Sequence, residues 1–136
     1  MMLKKIDHIG IAVPSIEEAR KFYEDVLGLK LDNIEEVPSQ KVKTAFYDIG
    51  GVWIELLEPI SDDSPIAKFL ERNPRGGMHH IAYLSDDVSA ELKNAEEKGV
   101  QLIDKTPRGG AGGMDIGFLH PKFTGGVLTE FCSPQE

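Results

Sequence analysis

Apolar and β-branched residues alternate with polar ones from Lys5 to Val13, and Pro14 ends the run, as expected for a half-buried strand closed by a residue that cannot donate to a ladder. Ser15 then stands as an N-cap with Glu17 and Glu18 in the first turn. Ala19, Phe22, Tyr23, Val26 and Leu27 follow at helical spacing until Gly28, which predicts a helix. Leu29 to Val37, Val42 to Ile49 and Val52 to Glu58 read as three further strands, separated by a Pro-Ser turn and a Gly-Gly turn. The first part of the chain is therefore βαβββ.

Ser61-Asp62-Asp63-Ser64-Pro65 opens a short helix through Ile66, Ala67, Phe69 and Leu70, stopped at Asn73-Pro74. The order then returns: a strand from Met78 to Ser85, a helix from Val88 to Lys98 closed by Gly99, and strands near Val100 to Asp104, Met114 to Leu119 and Val127 to Cys132. This predicts one domain, residues 1–136, with a first module at 1–60, a linker helix at 61–75 and a second module at 76–136. Gly28 and Gly99 lie one residue out of register with the rest of the repeat, as a single deletion in the second helix would produce. Arg108-Gly109-Gly110-Ala111-Gly112-Gly113 lacks the helix and the Lys-Ser/Thr of a phosphate loop and is expected to be a mobile loop over a site.

The repeat is visible in the residues themselves. Asp7-His8-Ile9-Gly10 recurs as His79-His80-Ile81-Ala82, and Gly50-Gly51-Val52-Trp53-Ile54-Glu55 as Gly125-Gly126-Val127-Leu128-Thr129-Glu130. Each half opens with a histidine and closes with a glutamate. Neighbouring residues on a strand face opposite ways, so only one of His79 and His80 can belong to such a set, and the register selects His80. Glu55 shares a strand face with Trp53 and Leu57, and Glu130 shares one with Leu128 and Cys132, where a carboxylate needs a partner. His8, Glu55, His80 and Glu130 are thus the candidate metal ligands. Glu58 and His120 have no counterpart in the other half and are set aside. Two imidazoles and two carboxylates suit Zn, Mn, Co, Ni or Fe(II), and six-coordination would leave two positions for water or substrate oxygens.

Composition narrows the functional classes. A formal net charge of -8 works against nucleic acid or an anionic membrane as partner. A small anionic ligand would need the metal or a few bases such as Lys41, Lys43, Lys68, Arg72, Arg75, Lys105, Arg108 and Lys122. Cys132 is the only cysteine, so an internal disulfide and a cysteine-rich zinc site are excluded, and its apolar strand setting reads as core. With no long apolar run and no signal-peptide pattern, the expected location is the cytoplasm.

The duplicated βαβββ order with this His/Glu pattern resembles the vicinal-oxygen-chelate superfamily, which includes glyoxalase I, extradiol dioxygenases and fosfomycin-resistance proteins. Within it, the methylmalonyl-CoA epimerases are the most similar. The segments carrying that resemblance are Ile6 to Val13, Glu55-Leu56-Leu57-Glu58-Pro59, Asp63 to Leu70, Gly76 to Ala82, Phe118-Leu119-His120-Pro121-Lys122 and Gly125 to Leu128. The resemblance implies an α+β fold in which the two modules form a curved eight-stranded sheet around a metal cleft. It also implies a divalent ion, cobalt being favoured, a CoA thioester substrate and a homodimer. The implied reaction interconverts (2R)- and (2S)-methylmalonyl-CoA through a metal-stabilised enolate, with Glu130 as ligand and proton-transfer group. Some members carry a second glutamate where this chain aligns Thr44, and some have glutamine in place of Glu55. Glu55 is therefore expected to be the second proton-transfer group as well as a ligand. Glyoxalase I, acting on a glutathione hemithioacetal, and a metal-free module that binds a small ligand are the alternatives.

Overall fold

The computed structural model describes residues 3–135. Its architecture is α+β. Eight strands, β1 (Leu3–Ala12), β2 (Leu31–Val37), β3 (Val42–Ile49), β4 (Val52–Pro59), β5 (Gly77–Ser85), β6 (Arg108–Gly109), β7 (Met114–Leu119) and β8 (Thr129–Pro134), join three helices, α1 (Ile16–Arg20), α2 (Pro65–Arg72) and α3 (Val88–Glu97). Along the sheet the hydrogen-bonded order is β2-β3-β4-β1-β5-β8-β7-β6. No helix among the described residues is long and apolar enough to cross a membrane.

The chain divides into two compact units. One is Ile9–His79, and the other joins the segment ending at His8 to the segment beginning at His80. In the first, β2, β3 and β4 form an antiparallel meander, with Phe46 opposite Glu55 and Thr44 opposite Leu57. Helix α1 starts where Ser15 Oγ accepts the Glu18 amide at 3.2 Å and the Glu58 carboxylate accepts the Ile16 amide at 2.7 Å, two of the orphan donors at a helix N-terminus. Glu58 also pairs with Lys43 at 3.4 Å, so it serves as a cap and an ion-pair partner. Helix α1 continues as a π-helical turn from Lys21 to Val26, with the Leu27 amide bonded to Phe22 O at 3.0 Å. A π turn takes one more residue than an α turn. The register slip between Gly28 and Gly99 is thus an extra residue absorbed by the first helix, whereas α3 is α-helical throughout. Val13, Ile16, Ala45, Tyr47 and Leu56 make this unit's core. Gly76, at φ +90°, passes so close to Ala12 that a Cβ would lie 2.3 Å from its carbonyl oxygen, a position only glycine can occupy.

In the second unit β5 and β8 run parallel, with Ala82 opposite Glu130, and β7 pairs antiparallel with β8, with Phe118 opposite Glu130. Helix α3 is capped by Asp87, whose carboxylate accepts the Ala90 amide at 3.0 Å. It lays Val88, Leu92 and Ala95 against Leu119 and Phe131. Leu92 sits over Gly117, where a Cβ would meet it at 2.8 Å. Cys132 is fully buried with Ala82 and Ile116.

The second half departs from expectation in two places. The strand expected near Val100 to Asp104 is reduced to an isolated bridge between Leu102 and Leu119. The Asp104 carboxylate takes the Phe118 amide at 2.9 Å, a side chain standing where a ladder carbonyl would otherwise accept. The glycine-rich stretch, expected to be a loop, includes the two-residue strand β6 and a 3-10 turn at Ala111–Gly113.

Candidate metal centre

Three of the four candidate ligands converge in the unit that joins the N-terminal segment to the chain from His80 onward. His80 lies two residues before Ala82 on the same face of β5, and Glu130 stands opposite Ala82 on β8. Ala82 is fully buried and projects only a methyl group on that face. His8 Nε2 lies 3.1 Å from His80 Nε2. Glu130 Oε1 lies 3.1 Å from His80 Nε2 and 3.5 Å from His8 Nε2. All three residues are buried.

This donor set fits a divalent ion on two grounds. Atoms each about 2.1 Å from a common ion are separated by about 3.0 to 3.4 Å in octahedral or tetrahedral arrangements, close to the triangle found here. The tautomer agrees. Asp7 Oδ2 lies 2.8 Å from His8 Nδ1, and a carboxylate accepts, so Nδ1 carries the hydrogen and the Nε2 lone pair faces the centre. Two imidazole nitrogens and a carboxylate oxygen packed this closely call for a shared cation or proton. Burial pushes the Glu130 carboxyl up, but the His8 and His80 imidazoles beside it more than offset that and hold the group down to about 2.

Asp7 is a site residue that sequence reasoning missed. Strand alternation sends successive side chains to opposite faces, yet the short Asp7 carboxylate reaches the ring nitrogen nearest the His8 backbone. The signal was the Asp-His dipeptide itself. Asp7, His8 and Cys132 also place ligand-type atoms within 4.8 Å of one another, all buried. His80 has its ring edge on Phe118, with centroids 5.4 Å apart. His79 packs against Phe69 at 5.3 Å, in keeping with the register that selected its neighbour.

Glu55 belongs to the other compact unit. It lies on β4, 6% exposed, on the face shared by Trp53 and Leu57. Thr44 lies diagonally across from it on the neighbouring strand and is fully buried. Thr44 Oγ1 has no hydrogen-bond partner among the described residues. His120 caps a 3-10 turn through Nδ1, which accepts the Lys122 amide at 3.1 Å.

Comparison with known proteins agrees with this architecture. Residues 7–118 match the Glyoxalase/Bleomycin resistance protein/Dioxygenase superfamily. The chain is 49% identical to the Uncharacterized protein YqjC of Bacillus subtilis, covering 98% of this chain and 94% of that one. It is 39% identical to the mitochondrial methylmalonyl-CoA epimerase of Mus musculus, covering 94% and 72%. Among solved structures, a substituted Streptomyces coelicolor methylmalonyl-CoA epimerase in complex with 2-nitronate-propionyl-CoA superimposes with a TM-score of 0.93 at 37% identity, covering 98% of this chain and 96% of that one. With a family match across most of its length and relatives of this identity and coverage, the chain belongs to the Glyoxalase/Bleomycin resistance protein/Dioxygenase superfamily and, within it, to the methylmalonyl-CoA epimerase family.

Proposed function

We propose that the chain interconverts (2R)- and (2S)-methylmalonyl-CoA by removing the C2 proton and returning it to the opposite face. The observation that carries this reading is the buried His8, His80 and Glu130 triangle, in a chain that covers nearly all of an epimerase fold. The ligand named with the Streptomyces coelicolor structure supports it, because a nitronate is a planar, delocalised anion at the carbon where a deprotonated substrate would be planar and anionic.

In this reading His8, His80 and Glu130 hold a divalent ion, Co, Mn, Ni or Zn, with Glu55 as fourth ligand. The ion would supply positive charge beside the thioester and carboxylate oxygens that gain electron density as the proton leaves, an effect of several kcal/mol. The rest falls to the chain's own groups. Asp7 keeps the His8 lone pair on Nε2. Glu130 accepts the C2 proton through its carboxylate, leaving the electron pair on the substrate as an enolate. Glu55 protonates the opposite face, and the two exchange roles in the reverse direction. The assembly is taken to be a homodimer, which sedimentation equilibrium would establish.

The test is loss of the C2 hydrogen of methylmalonyl-CoA in heavy water with added Co, Mn, Ni or Zn. Metal-dependent exchange, with no turnover of a glutathione hemithioacetal, is the expected outcome. Absence of exchange with all four metals would reject the reading.

A further inference from the structure

The unit that holds the triangle also carries a prepared cation. Arg108, on β6, donates through Nε to Asp104 Oδ1 at 2.9 Å. Its guanidinium carbon lies 5.6 Å from the centre of the Phe118 ring. Asp104 is itself fixed, because its other oxygen takes the Phe118 amide at 2.9 Å. Phe118 in turn meets the His80 ring edge-on at 5.4 Å. One guanidinium is thus stacked and hydrogen-bonded in place, a single aromatic ring removed from a candidate ligand. Register places it on the same side, since Arg108 pairs with Ile116 while Ile116 and Phe118 alternate onto the face of Cys132 and Glu130.

Arg108 remains about two-fifths exposed, with a side-chain accessibility of 43%. Neither terminal amino group donates a hydrogen bond to a described residue. Pairing through Nε leaves those two nitrogens for an acceptor from outside, and a guanidinium presents such donors in a planar fork suited to carboxylate or phosphate oxygens. On a chain of net charge -8 an anionic ligand is repelled at long range, so a cation held this near the centre has a selective effect.

We propose that Arg108 is the anion anchor of the site, taking an oxyanion of the substrate: the acyl carboxylate or a phosphate of CoA. The inference rests on the epimerase reading for the identity of the substrate and deepens it with a specificity residue.

The experiment compares wild type, R108Q and R108K in metal-loaded protein, using methylmalonyl-CoA and its N-acetylcysteamine thioester, which keeps the acyl carboxylate and lacks every phosphate. Calorimetric affinity and KM are read alongside kcat. Because charge-assisted hydrogen bonds are strong, R108Q is expected to weaken binding by about tenfold or more, with kcat changed far less and part of the loss recovered in R108K. A penalty on both thioesters assigns the carboxylate, and a penalty on the CoA ester alone assigns a phosphate. Unchanged affinity and KM for both would overturn the proposal, as would a fall in kcat alone. If the wild type exchanges no C2 hydrogen, the epimerase reading fails separately, and Arg108 is then judged by the same affinities measured without turnover.

Discussion

The two histidines that open the repeat are held in different ways. His8 is fixed by a carboxylate, since Asp7 accepts from its Nδ1 and thereby sets both orientation and tautomer. At the matching position before His80 the chain has His79, whose ring has turned to Phe69, and His80 is packed edge-on against Phe118. The Asp7 carboxylate determines which ring nitrogen of His8 carries the proton, and the edge of Phe118 adds a wall that helps to fix the His80 ring. The glutamates differ as well. Glu130 lies against both imidazoles, at 3.1 Å from His80 and 3.5 Å from His8, while Glu55 is buried on the meander face beside Thr44. Duplication supplied equivalent positions, and their neighbours gave them different properties.

The glutamates offer the most severe test of that difference. E130Q removes both a ligand and a proton acceptor, so C2 hydrogen exchange should fall by about 10²- to 10⁴-fold, the usual range for general acid-base catalysis, with bound metal lost in parallel. E55Q should reduce exchange while sparing metal content. Equal loss of metal and turnover in E55Q would remove its second role.

Asp7 comes next. D7A should weaken metal affinity by about 10- to 100-fold, the range seen when the group orienting a metal-bound histidine is removed, with D7N losing less. Competition against a chelator and the visible spectrum of the Co(II) form measure this directly. H79A should leave both readouts near wild type. A D7A protein that holds cobalt as tightly as wild type would show that Asp7 does not position His8.

A smaller effect concerns buried hydroxyls. Ser85 donates to the buried Glu91 carboxylate at 2.8 Å and accepts the Asp87 amide, whereas the Thr44 hydroxyl has no partner among the described residues. S85A should lower stability by about 1 to 3 kcal/mol, because it strips a partner from a buried carboxylate. T44V should be neutral or stabilising by about 1 kcal/mol, since a methyl of similar shape replaces an unsatisfied hydroxyl. Chemical denaturation of the metal-free proteins distinguishes the two, and a destabilised T44V would mean that the hydroxyl has a partner in solution.

The smallest effect is on acid stability. Hydrogen bonds from Arg20 and then Tyr47 hold the Glu24 carboxyl below its ordinary value of 4.5. A carboxyl lowered on folding stabilises the protein above its unfolded pKa, and that contribution is lost as the pH falls through the folded value. R20Q should therefore lower stability slightly at neutral pH, and its difference from wild type should shrink and disappear as the pH falls below about 4.5 and through the folded value. Thermal melts across that window would show it.

What could be read from the residues was what period and repetition encode. Alternation and capping located β1, α1, β3, β4, α2, β5 and α3 to within a residue or two at most ends, since these signals act over a few neighbours. Repetition selected His80 over His79 because a strand has only two faces. The glycine slip showed that the helices differ in length. Only the folded chain shows that the extra residue became a π turn, because the choice between α and π hydrogen bonds depends on where both helix ends are anchored. The strand expected near Val100 to Asp104 failed for a related reason. Its residues are suited to a ladder, but Asp104 spends its carboxylate on the Phe118 amide, and which amide lies opposite is a long-range fact. The contact that Arg108 makes with Phe118 follows the same rule. Periodicity assigns a side chain to a face, and only the assembled sheet determines which neighbour on that face comes within bonding distance.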